Sequence, residues 1–219
     1  MGMMGLREGG SSMKTRTVFL GLLAFSLALG LPPFGLAQNL EEGIRLYDEG
    51  RFEDAERILG PLSEQEDTNP EVHYYRGLTL LEMGRMAEAE TQLDQASREG
   101  LAPDRLKVGQ ARVALKKGET DRAIVLLNEA QEANSASAAI FHYRGIAQAS
   151  KQDFTAAAAD LEKAVELDPS NAQSHYYAGM VYGRLRRTDR MVNHYQMFLK
   201  LAPNSPEAPK VQSLLRSVR

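Results

Sequence analysis

The feature that most restricts this chain is a spacing: small residues return every 34 positions without insertion. Segments beginning at Leu36, Pro70, Asp104, Ala138 and Ala172 align, and the eighth residue of each is Gly43, Gly77, Ala111, Gly145 or Gly179. The twentieth residue is Ala55, Ala89, Ala123 or Ala157 in the first four units, and the twenty-seventh is Ala96, Ala130 or Ala164 in the middle three. Self-similarity at such a period is the mark of a stacked array in which each unit contacts its neighbours in order. Two antiparallel helices of about 14 residues, each about 21 Å long, approach closely only where side chains are small. Gly50, Gly84 and Gly118 then serve to stop the first helix and permit a tight turn. A single hairpin cannot bury its apolar stripe alone, so the units must stack.

The first half of each unit is the most legible: His73-Tyr74-Tyr75-Arg76-Gly77, Phe141-His142-Tyr143-Arg144-Gly145 and His175-Tyr176-Tyr177-Ala178-Gly179 share one register. The second half repeats as Gly-Arg-Phe-Glu-Asp-Ala at 50–55, Gly-Arg-Met-Ala-Glu-Ala at 84–89, Gly-Glu-Thr-Asp-Arg-Ala at 118–123 and Gln-Asp-Phe-Thr-Ala-Ala at 152–157. Pro169 and Pro203 close the fourth and fifth units. These residues resemble the tetratricopeptide repeat. Five copies over residues 36–205 imply an all-α, right-handed solenoid of five helix hairpins. Asn39 and Lys107 stand in the aromatic slot of units one and three. In unit five Arg186 replaces the turn glycine and Met191 the alanine, which predicts looser packing there. Beyond the array, Val211, Leu214, Leu215 and Val218 share one helical face, so residues 206–219 are expected to form a capping helix over the exposed end.

Residues 1–37 read as an address. Lys14 and Arg16 precede the apolar run Val18–Leu31, then Pro32-Pro33, then the small residues before Gln38, which is the order of a secretory signal cleaved after Ala37. Residues 1–12 fit neither signal nor domain, and translation is expected to start at Met13. The chain is therefore expected to be exported to the periplasm or secreted, with the folded part at 38–205 plus the cap. The alternative is an uncleaved membrane anchor, although 14 residues is short for a span of about 20.

Composition removes several classes of function. There is no cysteine for disulfides, thiolate nucleophiles or thiolate metal sites. A net charge of −3 gives no reason to expect nucleic acid. The four histidines show no zinc-ligand spacing, and no phosphate loop, serine elbow or paired catalytic acids appear. No enzyme, metal or cofactor is expected. The tetratricopeptide resemblance instead implies a protein-binding groove lined by positions two, five, nine, twelve and thirteen of each first helix. Carried onto this chain, the groove residues are Tyr47, Tyr74, Leu78, Arg105, Arg112, Lys116, His142, Ile146, Tyr176, Met180 and Arg184. Arg105, Arg112 and Lys116 together could hold an acidic group of a peptide or helix of another protein. Equally, Tyr74, His142 and Tyr176 could fill space between repeats, and the basic trio could be a solvated face. Membrane contact is expected only if the N-terminal segment stays uncleaved.

Charge is also sorted along the chain: residues 38–103 carry 16 acids and 6 bases, residues 104–171 carry 10 and 9, and residues 172–219 carry 2 and 8. In a stack, a gradient in sequence becomes a gradient in space. The basic end, with Arg184, Arg186, Arg187 and Arg190, is either a solvated run or a docking surface for an acidic partner or anionic envelope surface. Weak head-to-tail self-association is a further outcome of the same gradient.

Overall fold

The structure, a computed structural model, describes residues 34–65 and 69–218. The expected Met13 start and the apolar signal run lie outside the described residues, and helix already begins at Phe34. Eleven α-helices and no strand are found among the described residues: α1 (Phe34–Asp48), α2 (Phe52–Leu62), α3 (Pro70–Glu82), α4 (Met86–Arg98), α5 (Pro103–Lys116), α6 (Thr120–Ala133), α7 (Ala138–Ser150), α8 (Phe154–Leu167), α9 (Ala172–Arg184), α10 (Thr188–Leu201) and α11 (Ala208–Ser217). Each odd helix from α1 to α9 packs most closely on the even helix that follows it, and each even helix then meets the next odd one. The first helices also touch each other across units, α1 on α3, α3 on α5, α5 on α7 and α7 on α9. That is the contact pattern of a solenoid.

Local chemistry sets the helix boundaries. Asn69 and Asn171 accept from backbone N–H groups at the starts of α3 and α9, and Asp153 does so for α8. Pro70 and Pro103 occupy first-turn positions, where the missing N–H costs nothing. The fifteenth residue of every unit adopts positive φ: Gly50 at 74°, Gly84 at 78°, Gly118 at 78°, Gln152 at 64° and Arg186 at 57°. Glycine takes this left-handed turn without penalty, whereas a side chain there costs roughly 1–2 kcal/mol. Units four and five therefore turn in the same way under strain.

The periodic small residues sit where helices touch. Ala55, Ala89, Ala123 and Ala157 are all fully buried. A Cβ built on Gly77 would lie 3.2 Å from the carbonyl oxygen of Ala89, and one on Gly145 would lie 2.7 Å from Leu161 Cγ. The fifth hairpin departs from this chemistry without opening. Met191 and Phe198 hold two positions that are alanine in the middle units, Tyr195 holds one that is leucine, and all three are buried. The looser packing expected for this unit is not what is found, because the larger side chains Met191, Tyr195 and Phe198 are themselves buried between its helices.

Ala208 and Val211 of α11 are buried in the cluster formed by Tyr182, Met191, Tyr195 and Phe198, with Leu214 and Leu215 packed against it. The helix thus covers the end of the stack. It starts two residues later than position 206, and Val218, expected on its apolar face, follows the helix and is 42% exposed.

Candidate functional site

The first helices line an open groove of about 1100 Å³ that runs from Tyr47 at the amino end to Tyr177 at the carboxyl end. A smaller hollow of about 410 Å³, lined by Ile146, Tyr177, Met180 and Arg184 among others, continues it. The sequence explains this arrangement. Second helices pack through alanines on their inner side, which leaves the opposite side of each first helix to form the lining.

Arg112 is at the centre. It is only 9% exposed, donates to the Tyr47 hydroxyl (2.5 Å) and to Glu82 Oε1 (2.8 Å), and its guanidinium lies 5.1 Å from the centre of the Tyr143 ring. Lys116 Nζ reaches the other Glu82 oxygen at 3.1 Å. Burial opposes ionisation of Glu82, yet the bonds from Lys116 and Arg112 outweigh it and hold the carboxyl below its ordinary range. Arg105 pairs with Glu71 and stacks over Tyr74, 4.7 Å from the ring centre. Glu71 to Arg105 and Glu82 to Lys116 are each one period apart, so a residue of one unit neutralises its counterpart in the next.

His142 is buried and shares a hydrogen bond between its Nδ1 and Ser174 Oγ at 2.9 Å. Burial, aided by the charge of Arg112, lowers its pKa to about 4, so the ring is neutral at ordinary pH. Burial pushes the Tyr74 phenol up to about 12 and raises Tyr143 and Tyr177 as well, so all three remain protonated donors. Among the described residues no hydrogen bond engages these three hydroxyls, although all three residues line the groove.

Family models agree with this architecture. Tetratricopeptide repeat models match residues 46–107 and 173–205, and a TPR repeat model matches residues 149–185. This is a tetratricopeptide repeat protein. No curated protein matches its sequence. Among solved structures, TTC0263, a thermophilic TPR protein of Thermus thermophilus, superposes with a TM-score of 0.70 at 19% identity, over 83% of this chain and 97% of that one. Cut9–Hcn1 of the APC/C gives 0.68 at 17% identity, over 90% of this chain but 39% of its own. YrrB, described as a TPR protein with an unusual peptide-binding site, gives 0.51 at 17% identity, over 88% of this chain and 97% of that one. At these identities the likeness shows the fold alone.

In this tetratricopeptide repeat protein the residues named from sequence divide into three groups. Tyr47, Tyr74, Leu78, Arg105, Arg112, Lys116, His142 and Ile146 line the main groove, and Ile146, Met180 and Arg184 line the smaller hollow. Tyr176 lines neither. Its ring centre lies 5.2 Å from that of Phe198 and 6.1 Å from that of Tyr195, inside the last hairpin, because the aromatic second helix of unit five recruits it. The basic trio is not a vacant anion site either, since Glu71 and Glu82 already engage all three side chains. Sequence reasoning missed Tyr75, Tyr143 and Tyr177, all at the sixth position of their units. The signal was present: positions two, six, nine and thirteen are spaced four, three and four apart, which puts them on one helical stripe.

Proposed function

We propose that this protein is a non-enzymatic adaptor or assembly factor of the periplasm or cell envelope, and that its groove holds an extended segment or a helix of another protein. The observation that carries this reading is the lining of the groove: tyrosine rings on rigid helices, three phenol hydroxyls without a partner among the described residues, and charges already balanced from unit to unit. Rings give apolar contact area at small entropic cost, and free hydroxyls donate to the carbonyls of a bound backbone. Tetratricopeptide repeat proteins generally mediate protein–protein contacts, and YrrB is described as having a peptide-binding site, both of which support the assignment by analogy. Export rests on the order of basic, apolar and small residues before Gln38. The alternative reading keeps the apolar segment as a membrane anchor that displays the repeats. No helix of the described residues is long and apolar enough to cross a membrane, so an anchor has to come from the preceding segment.

The test is site-specific photo-crosslinking in native envelopes. A crosslinker at Leu78 or Ile146, within the groove, is expected to capture a discrete partner. One at Val125, which is 55% exposed on α6 and outside the groove, is expected to capture none. Equal capture from Val125 overturns the groove reading. Mass spectrometry of the mature N-terminus separates a cleaved chain, beginning at Gln38, from an anchored one.

A further inference from the structure

The gradient of charge becomes more pointed once internal ion pairs are removed from it. On the first hairpin Glu42, Glu49, Asp54 and Glu56 are engaged by Arg45, Arg51, Arg57 and Arg76. Exposed Glu41, Asp48, Glu53 and Glu64 have no cation within ion-pair distance among the described residues. At the other end Arg190 is held by Glu162 and the Tyr182 hydroxyl. Arg184, Arg186, Arg187, Lys200, Lys210 and Arg216 are exposed and meet no carboxylate among the described residues. Asp189 and Glu207 are the sole acids of residues 172–219.

The two unpaired sets cannot neutralise each other within one molecule. Hairpins one and five lie four interhelical steps apart, roughly 30–40 Å at about 8–10 Å per step. Coulomb attraction is screened over about 8 Å at physiological salt. A second copy removes that separation. The carboxyl end also leaves Met197 and Leu201 of α10 more than a third exposed among its charges. At the amino end Leu40 and Ile44 hold the positions at which Tyr74 and Leu78 are buried in the next unit, yet both stay partly exposed. The amino end therefore carries unpaired acid, the carboxyl end carries a large excess of unpaired cations over the exposed Asp189, and the two ends are complementary in charge.

We propose that the protein self-associates head to tail, the first hairpin of one copy docking on the fifth hairpin and cap of the next. The contact is heterologous, so it propagates as a chain unless its rotation closes a ring. It is driven by exposed charge, so it is weak and salt-sensitive. Asp48 and Arg184 of these two sets also line the groove and its continuation, so a partner in the groove and a second copy would share those residues.

Sedimentation equilibrium of the chain as its host processes it tests the proposal. At about 0.02 M salt the weight-average mass is expected to rise with concentration to at least about twice that of the monomer, and to return to the monomer at about 0.5 M. Arg186→Glu with Arg187→Glu is expected to abolish association, and so is Glu41→Lys with Glu53→Lys, each variant keeping its helical circular dichroism. Mixing the two variants is expected to restore association, because each then carries the ends the other lacks, which a merely misfolded variant cannot do. A wild-type chain that stays monomeric at low salt, association that ignores salt, or a mixture that fails to associate overturns the proposal.

Discussion

His142 makes the groove sensitive to acid, and the size of the effect can be worked from its surroundings. The ring is buried beside Arg112, and its pKa falls from the ordinary 6.5 to about 4. An unfolded chain binds a proton at this position below about pH 6.5, while the folded chain resists until about pH 4. A folded-state pKa below the unfolded one contributes stability that is complete above about pH 6.5 and is lost as pH falls toward 4. Each pH unit is worth about 1.4 kcal/mol, so the loss is about 2 kcal/mol at pH 5 and about 3 kcal/mol at the acid limit. Urea unfolding of the wild type and of His142→Gln, at about pH 7.5 and about pH 5, isolates the term, since carboxylate contributions are common to both proteins. The wild type is expected to lose about 2 kcal/mol more than the variant over that interval. Equal losses, or an NMR titration of the His142 ring with a midpoint near 6.5, refute the reasoning.

Glu82→Ala strands the buried Arg112 charge and is expected to lower unfolding free energy by about 3 kcal/mol, measured in urea. Arg186→Gly relieves a left-handed residue worth roughly 1–2 kcal/mol, offset by roughly 0.4–1 kcal/mol of unfolded-chain entropy, so a net gain of up to about 1.6 kcal/mol is expected as a higher melting temperature. Removing residues 206–219 uncovers Tyr195 and Phe198, and light scattering is expected to show aggregation at concentrations where the full chain is clear.

The register of the array was legible because it depends on contacts that only small residues allow. Gly77 against Ala89 and Gly145 against Leu161 leave no room for larger side chains, so the spacing alone located both helices of those hairpins. The groove was legible by stripe but not by residue. Tyr177 lines it and Tyr176 does not, although the two are neighbours and both were available to either surface. What separates them is the second helix of the unit, whose Tyr195 and Phe198 rings pack against Tyr176 and which no pattern within α9 reveals.

Sequence by itself determined the helical class, the period, the places where helices touch and the sorting of charge from one end to the other. These are properties of spacing and composition, and stacking in order preserves them. Tertiary structure alone decided which charges remain unpaired. Arg105, Arg112 and Lys116 read as a free basic trio until the next unit is stacked and brings Glu71 and Glu82 within reach. An ion pair requires proximity within a few ångströms, and residues one period apart in the chain acquire that proximity only when the helices that carry them pack side by side.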